Sequence, residues 1–153
     1  MATHTDHPHD YPLYLAGQPH LTGQWLEVED KYLQRCYARV ALADAETLEQ
    51  AIQAAVQAEA AMAALKPFQK QKILLHCVQR FQECRAELTE LLIIEGGKPK
   101  RAAAAEVERL INTFQLAADA VTQMDQGRMM PLAVTAAACS YQGISKQVPI
   151  GAV

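Results

Sequence analysis

The sequence predicts a mainly helical chain with a β-hairpin on its N-terminal side and a β-ribbon near its last residues. Three observations carry this. Apolar residues recur at three- and four-residue steps through most of residues 44–124. Short alternating runs precede residue 40. Between the helical runs stands Glu95-Gly-Gly-Lys-Pro99. Its glycines can take the left-handed backbone that closes a helix, and its proline suits the first turn of the next.

Residues 1–10 carry His4, His7 and His9, close enough to raise a metal site. Nothing apolar anchors them, so a disordered tail is expected. Tyr14-Leu15-Ala16 meets Gly17, and Gln24 to Val28 alternates. The reading is a hairpin whose loop holds Pro19 and Gly23, with a third strand at about 35–40. Trp25 is read as core.

Asp44 fits an N-cap, with Glu46 where the helix dipole favours an acid. Leu48, Ile52, Ala55, Val56 and Met62 form its stripe. Lys66-Pro67 breaks that helix and starts a second stripe: Ile73, Leu74, Cys77, Val78 and Phe81, continued by Leu88, Leu91 and Leu92. No glycine or proline lies between Phe68 and Glu95, so one long helix and two shorter ones both fit. His76, beside the stripe, is read as half-buried and structural. From Pro99 to about Met124, Val107, Leu110, Ile111, Phe114, Ala117, Ala118 and Val121 share one face. Gly127 and Pro131 end the run. Residues 140–149 suit an exposed ribbon, and an apolar strand is expected to begin in 150–153.

The 153 residues fit one domain, half hydrophobic and one-fifth charged (20%), with a net charge of -3. Nothing marks a nucleic-acid or membrane-surface protein. No apolar run approaches a membrane span and no leader is visible, so a cytoplasmic protein is expected. Cys36, Cys77, Cys84 and Cys139 form no CxxC pair. On one helix, Cys77 and Cys84 would stand about 10 Å apart, beyond disulfide reach. Free thiols, some buried, are expected.

Phosphate-binding, metalloprotease and nucleophile-elbow motifs are absent. Gly96-Gly97-Lys98 could hold an anion on free amides, but no strand precedes it. Lys98, Lys100 and Arg101 are read as a solvated turn. Glu95 is either a cation ligand or a plain helix end. The residues alone assign no catalytic, cofactor-binding or metal position.

The order of the pieces is more informative. Ala41-Leu-Ala-Asp-Ala-Glu46 is followed by Ala51-Ile-Gln-Ala-Ala55, Glu95-Gly-Gly-Lys-Pro99, Ala105-Glu-Val-Glu-Arg109, Thr113-Phe-Gln-Leu-Ala-Ala118 and Val148-Pro-Ile-Gly-Ala-Val153. From about Tyr14 onward this resembles the N-terminal part of the aldehyde dehydrogenase superfamily. The Thr113 segment is most similar to bacterial branches acting on small aldehydes, including lactaldehyde-like and glyceraldehyde-phosphate-like members. The resemblance implies an α/β fold, with residues 11–139 as the helical part of a cofactor-binding domain. It further implies that 140–149 is an oligomerisation ribbon and that 150–153 starts the first dinucleotide-fold strand.

It also implies aldehyde oxidation with NAD or NADP through a cysteine nucleophile and a glutamate base. Their motifs lie beyond Val153 in the family, and no cysteine here stands in a matching motif. The expectation is a piece that is inactive and cofactor-free alone, whose partners are the rest of the enzyme or other subunits. The alternative is a non-catalytic helical docking module. By the same resemblance, Glu95 with backbone near Val28 is similar to a structural cation site.

Overall fold

A computed structural model of the chain describes residues 9–124 and 127–152. Its strands come first: β1 (His9–Tyr11), β2 (Leu13–Leu15), β3 (Gln18–His20), β4 (Trp25–Asp30) and β5 (Arg35–Ala41). Helices α1 (Ala45–Ala64), α2 (Pro67–Glu83), α3 (Arg85–Gly96) and α4 (Lys100–Met124) follow. Strands β6 (Arg128–Met130) and β7 (Gly143–Ser145) lie beyond them, separated by a short 3-10 turn at Ala136–Ala138.

The strand pairing differs from the expected hairpin. β2 pairs antiparallel with β3, and β4 pairs antiparallel with β5. The first hairpin turns on Ala16 and Gly17 alone, both with positive φ (50° and 77°). Such a turn matches the twist of the strands but asks alanine for a backbone it rarely takes. The second turns at 31–34, where the buried Asp30 carboxylate accepts the N–H groups of Tyr32 and Leu33 at 2.9 Å each. β1 adds to β5 in parallel, giving the sheet order β1-β5-β4. His9 and Asp10, expected in a loose end, therefore belong to a strand. His4 and His7 lie outside the described residues.

Asp44 caps α1 as expected. Its carboxylate accepts the Thr47 N–H at 2.8 Å and the Thr47 hydroxyl at 2.7 Å, which lowers its pKa. Pro67 starts α2. The run from Phe68 to Glu95 resolves into two helices, broken at Cys84, whose φ and ψ are -90° and 10°. The bend lets Phe81 of α2 and Leu88 and Leu92 of α3 meet one face of α4.

That face is the core. Val107 and Ile111 of α4 are buried with Val78 of α2, and Phe81 meets Phe114 edge-on at 4.9 Å. Ala103 and Ala118 are wholly buried, so their small side chains let the helices approach closely. Burying each large side chain here is worth roughly 1.5–3 kcal/mol.

α3 ends at Gly97, in the left-handed region at φ 62°, with its N–H donated to Ile93 O at 3.0 Å. α4 begins one residue past Pro99, whose carbonyl accepts from Ala102 and Ala103. Between them Lys98 reaches forward to Glu106 in an ion pair that spans the proline. Arg109 approaches the same carboxylate at 3.9 Å.

The α1 stripe finds no such cover: Leu48 is 57% exposed and Ile52, Val56 and Met62 are also exposed. Beyond α4, β6 pairs with β7. The ribbon thus draws one strand from 128–130, ahead of the expected 140–149. Residues 149–152 are not assigned to a strand. Val153 lies outside the described residues.

Ile111→Ala should lower the unfolding free energy by about 2–5 kcal/mol. Leu48→Ala, at an exposed position, should stay within roughly 0.5 kcal/mol. Urea unfolding of both variants measures the contrast, and equal costs would mean that the core is misplaced.

The Lys98 ammonium holds the Glu106 carboxyl below its ordinary 4.5. A depressed carboxylate contributes stability above the unfolded value and loses it as pH falls from there through the folded value. Glu106→Gln should therefore flatten the acid side of the stability curve, below about pH 4.5, and leave its neutral side parallel to the wild type. Unfolding midpoints across the acid range provide the check.

Candidate functional site

The corner at 95–99 is where the sequence concentrates its charged and glycine residues. The fold gives it a firm position. The Lys31 N–H, just past β4, donates to Ile94 O at 3.0 Å and so docks the end of α3 on the β4–β5 turn. A side chain at Gly97 would start 3.2 Å from Lys31 Cβ, on a backbone that already disfavours one.

The electrostatics of the corner point to structure. Lys98 is committed to Glu106, so it does not stand free to meet an anion at the start of α4. Lys100 and Arg101 are exposed, in keeping with a solvated turn. The Glu95 side chain is also exposed. Ile94 O, beside it, already accepts the Lys31 amide. Among the described residues no group of three or more His, Cys, Asp and Glu could hold a metal ion. The corner brings the end of α3 to the end of β4, the region named for Glu95 and Val28.

His76 is exposed, which corrects the half-buried reading. It stands two residues from buried Val78, and two residues turn a helix by about 200°, onto its opposite face. Trp25 is half-buried rather than core. The Arg39 guanidinium covers its ring at 5.2 Å and also holds Asp10 through two 2.8 Å bonds.

The four thiols are free. Cys36 and Cys139 are exposed, and their Sγ atoms donate to the carbonyls of Ala38 and Thr135, both at 3.4 Å. Cys77 and Cys84 are half-buried, so none is fully buried. The Arg80 guanidinium lies 3.9 Å from Cys84 Sγ. None of these arrangements pairs a thiol with a base, as nucleophilic catalysis needs.

A cavity of about 740 Å³ lies elsewhere, between α1, the ends of α2 and α4, and residues 147–152. Its walls are mainly apolar, with Met62, Val121, Val148 and Ile150, and Glu59 and Lys70 stand among them. Gly151, at φ 99°, passes close to the Glu59 carboxylate, where a Cβ would lie 3.4 Å away.

Sequence reasoning missed Asp10, Arg39 and Glu106 as interacting residues. Only Glu106 had a local signal, since it follows Lys98 by two turns of helix once the start of α4 is fixed.

Residues 19–153 match the aldehyde dehydrogenase family. The chain is 26% identical over 143 residues to a 3-sulfolactaldehyde dehydrogenase of Priestia aryabhattai, covering 94% of this chain and 29% of that protein. It is 31% identical over 103 residues to a lactaldehyde dehydrogenase of Methanocaldococcus jannaschii, covering 64% of this chain and 22% of that one. The solved structure of aldehyde dehydrogenase 21 from Physcomitrella patens, in complex with the reaction product succinate, superposes with a TM-score of 0.82 at 35% identity. That likeness covers 90% of this chain and 29% of the plant protein. The chain therefore spans less than a third of the length of each of these relatives. A match over most of the chain, on a fold that superposes on a solved member, makes it a member of the aldehyde dehydrogenase family.

Proposed function

We propose that this chain is the N-terminal, structural portion of an enzyme that oxidises an aldehyde to a carboxylic acid with NAD or NADP. The observation that carries the reading is the family match over residues 19–153. Two similar solved structures support the cofactor class. One is a 3,6-anhydro-L-galactose dehydrogenase in complex with NAP, 27% identical. The other is a glyceraldehyde-3-phosphate dehydrogenase of Methanocaldococcus jannaschii complexed with NADP, 28% identical.

The chemistry of this class needs an activated thiolate. The thiols of Cys36 and Cys139 donate to backbone carbonyls rather than to a base. The described residues offer no glycine-rich phosphate loop, and the lysine of the corner is paired. No step of the reaction is therefore assigned to a residue of this chain. Its part is support: α2, α3 and α4 form a packed slab, and the corner fixes that slab to the β4–β5 hairpin. The partners on this reading are the rest of the enzyme and further subunits, with residues 140–149 in a subunit-joining ribbon. A cytoplasmic location goes with the reading; among the described residues no helix is long and apolar enough to cross a membrane.

A second reading has an observation of its own. The stripe of Leu48, Ile52, Val56 and Met62 is exposed, as a helical docking module would require. The two readings part on what the stripe needs. A portion of an enzyme needs its own remaining sequence, whereas a module folds alone and binds afterwards.

The purified chain should show no nicotinamide reduction with NAD or NADP on a panel of small aldehydes. Turnover that vanishes on one cysteine-to-alanine change would place the nucleophile within this chain and overturn the structural assignment. Light scattering and urea unfolding should find the chain self-associated or weakly cooperative alone, and monodisperse and cooperative with the remainder of the enzyme. A monomer with one sharp transition by itself would favour the docking module.

A further inference from the structure

Among the described residues β1 meets the sheet along one edge of β5. It has three residues, all exposed, and it is the edge strand of the order β1-β5-β4. Pro12, which follows it, has no N–H to give. A side-chain hold of the strand on β5 is the Asp10 carboxylate, which accepts from Arg39 Nε and Nη2 at 2.8 Å each. Asp10 stands opposite Arg39 in the β1–β5 register, and Glu27 of β4 stands opposite Arg39 on the other side. Residues in register across neighbouring strands lie on the same face. Arg39 thus has an acid in register on each neighbouring strand, and its guanidinium lies over the Trp25 ring.

We propose that β1 is a strap that opens and closes on the edge of β5 independently of the helical core, with Arg39 as a two-position catch. In the closed position Arg39 holds Asp10. In the open position it turns to Glu27, which keeps its charge paired while β1 leaves. The contact is well formed but half-exposed, so its strength is modest and falls with salt. Opening leaves β5 with an unpaired edge, the kind of surface that adds a strand from elsewhere. The strap does not depend on the enzymatic reading and concerns the chain as it stands.

Hydrogen exchange on the full chain tests this, with Trp25, the single tryptophan, as a second reporter. Amides of β1, and those of β5 bonded to it, should exchange faster than the amides of Val107 and Ile111. Asp10→Asn should speed β1 exchange by roughly two- to fivefold, the range for losing an exposed ion pair, and leave α4 unchanged. Glu27→Gln should slow β1 exchange, because Arg39 then loses its alternative partner. Salt at about 1 M should speed β1 exchange in the wild type and have little effect in Asp10→Asn. Exchanging the two charges, Asp10→Arg with Arg39→Asp, should bring back slow β1 exchange while Trp25 emission stays changed, because the guanidinium over its ring is gone. β1 amides that exchange in step with α4 would overturn the strap. An unchanged rate in Asp10→Asn, or the same direction of change in Asp10→Asn and Glu27→Gln, would overturn Arg39 as its catch.

Discussion

The structure depends on one seam, in which a single face of α4 receives side chains from both α2 and α3. Val107 and Ile111 are buried there against Val78, with Phe81, Phe114, Leu88 and Leu92 around them. A single helix has one stripe, and here the stripe of α4 meets Phe81 of α2 and Leu88 and Leu92 of α3 on either side of Cys84. The bend at Cys84 and the reversal at Gly97 solve the same problem twice. They fold three helical segments so that apolar positions far apart in sequence share one interior. The wholly buried Ala103 and Ala118 are part of that solution, since larger side chains there would hold the helices apart.

The reversal is stabilised by groups that do not belong to the seam. Gly97 supplies the backbone, Lys31 caps the Ile94 carbonyl, and Lys98 crosses Pro99 to reach Glu106. These contacts tie the helical slab to the β4–β5 hairpin at one corner. The glycines and the lysine that could suggest a phosphate site are thus explained by folding. A glycine-rich turn before a helix is a phosphate site only when its amides and its cation are both unspent. Here the cation is spent.

How much of this was legible follows from how local each signal is. The α4 stripe, the Asp44 cap and the Gly97 stop are set within a few residues, and each stands where the sequence placed it, apart from Ala117 of the stripe, which is exposed. The break at Cys84 had no local mark, because the residue that bends carries neither a glycine's freedom nor a proline's clash. The first hairpin was hidden by Ala16, whose positive φ belongs to a position usually held by Asn or Gly. The wrong partner for β4 followed from that, since a turn that is not seen leaves its strand free to be paired elsewhere. Asp10 and Arg39 meet across 29 positions and had no signal at all. The absence of a legible catalytic site is of a different kind: among the described residues no thiol is paired with a base, and the family was read from the order of short motifs instead.

The α1 stripe carries the argument furthest toward function. Its residues repeat at helical spacing as regularly as those of α4, yet Leu48, Ile52, Val56 and Met62 are each at least half exposed. Periodicity reports that a face is meant to be covered, and burial reports whether this chain covers it. In α4 the two agree; in α1 they do not. Residues 147–152 pass along part of the same helix and leave a mainly apolar cavity beside it. Leaving several large side chains wet forfeits roughly 1.5–3 kcal/mol each, against the 5–15 kcal/mol that usually separates folded from unfolded domains. An uncovered stripe of that size is expensive for a free-standing domain and ordinary for one portion of a larger enzyme, where the covering surface is supplied by another part of the fold.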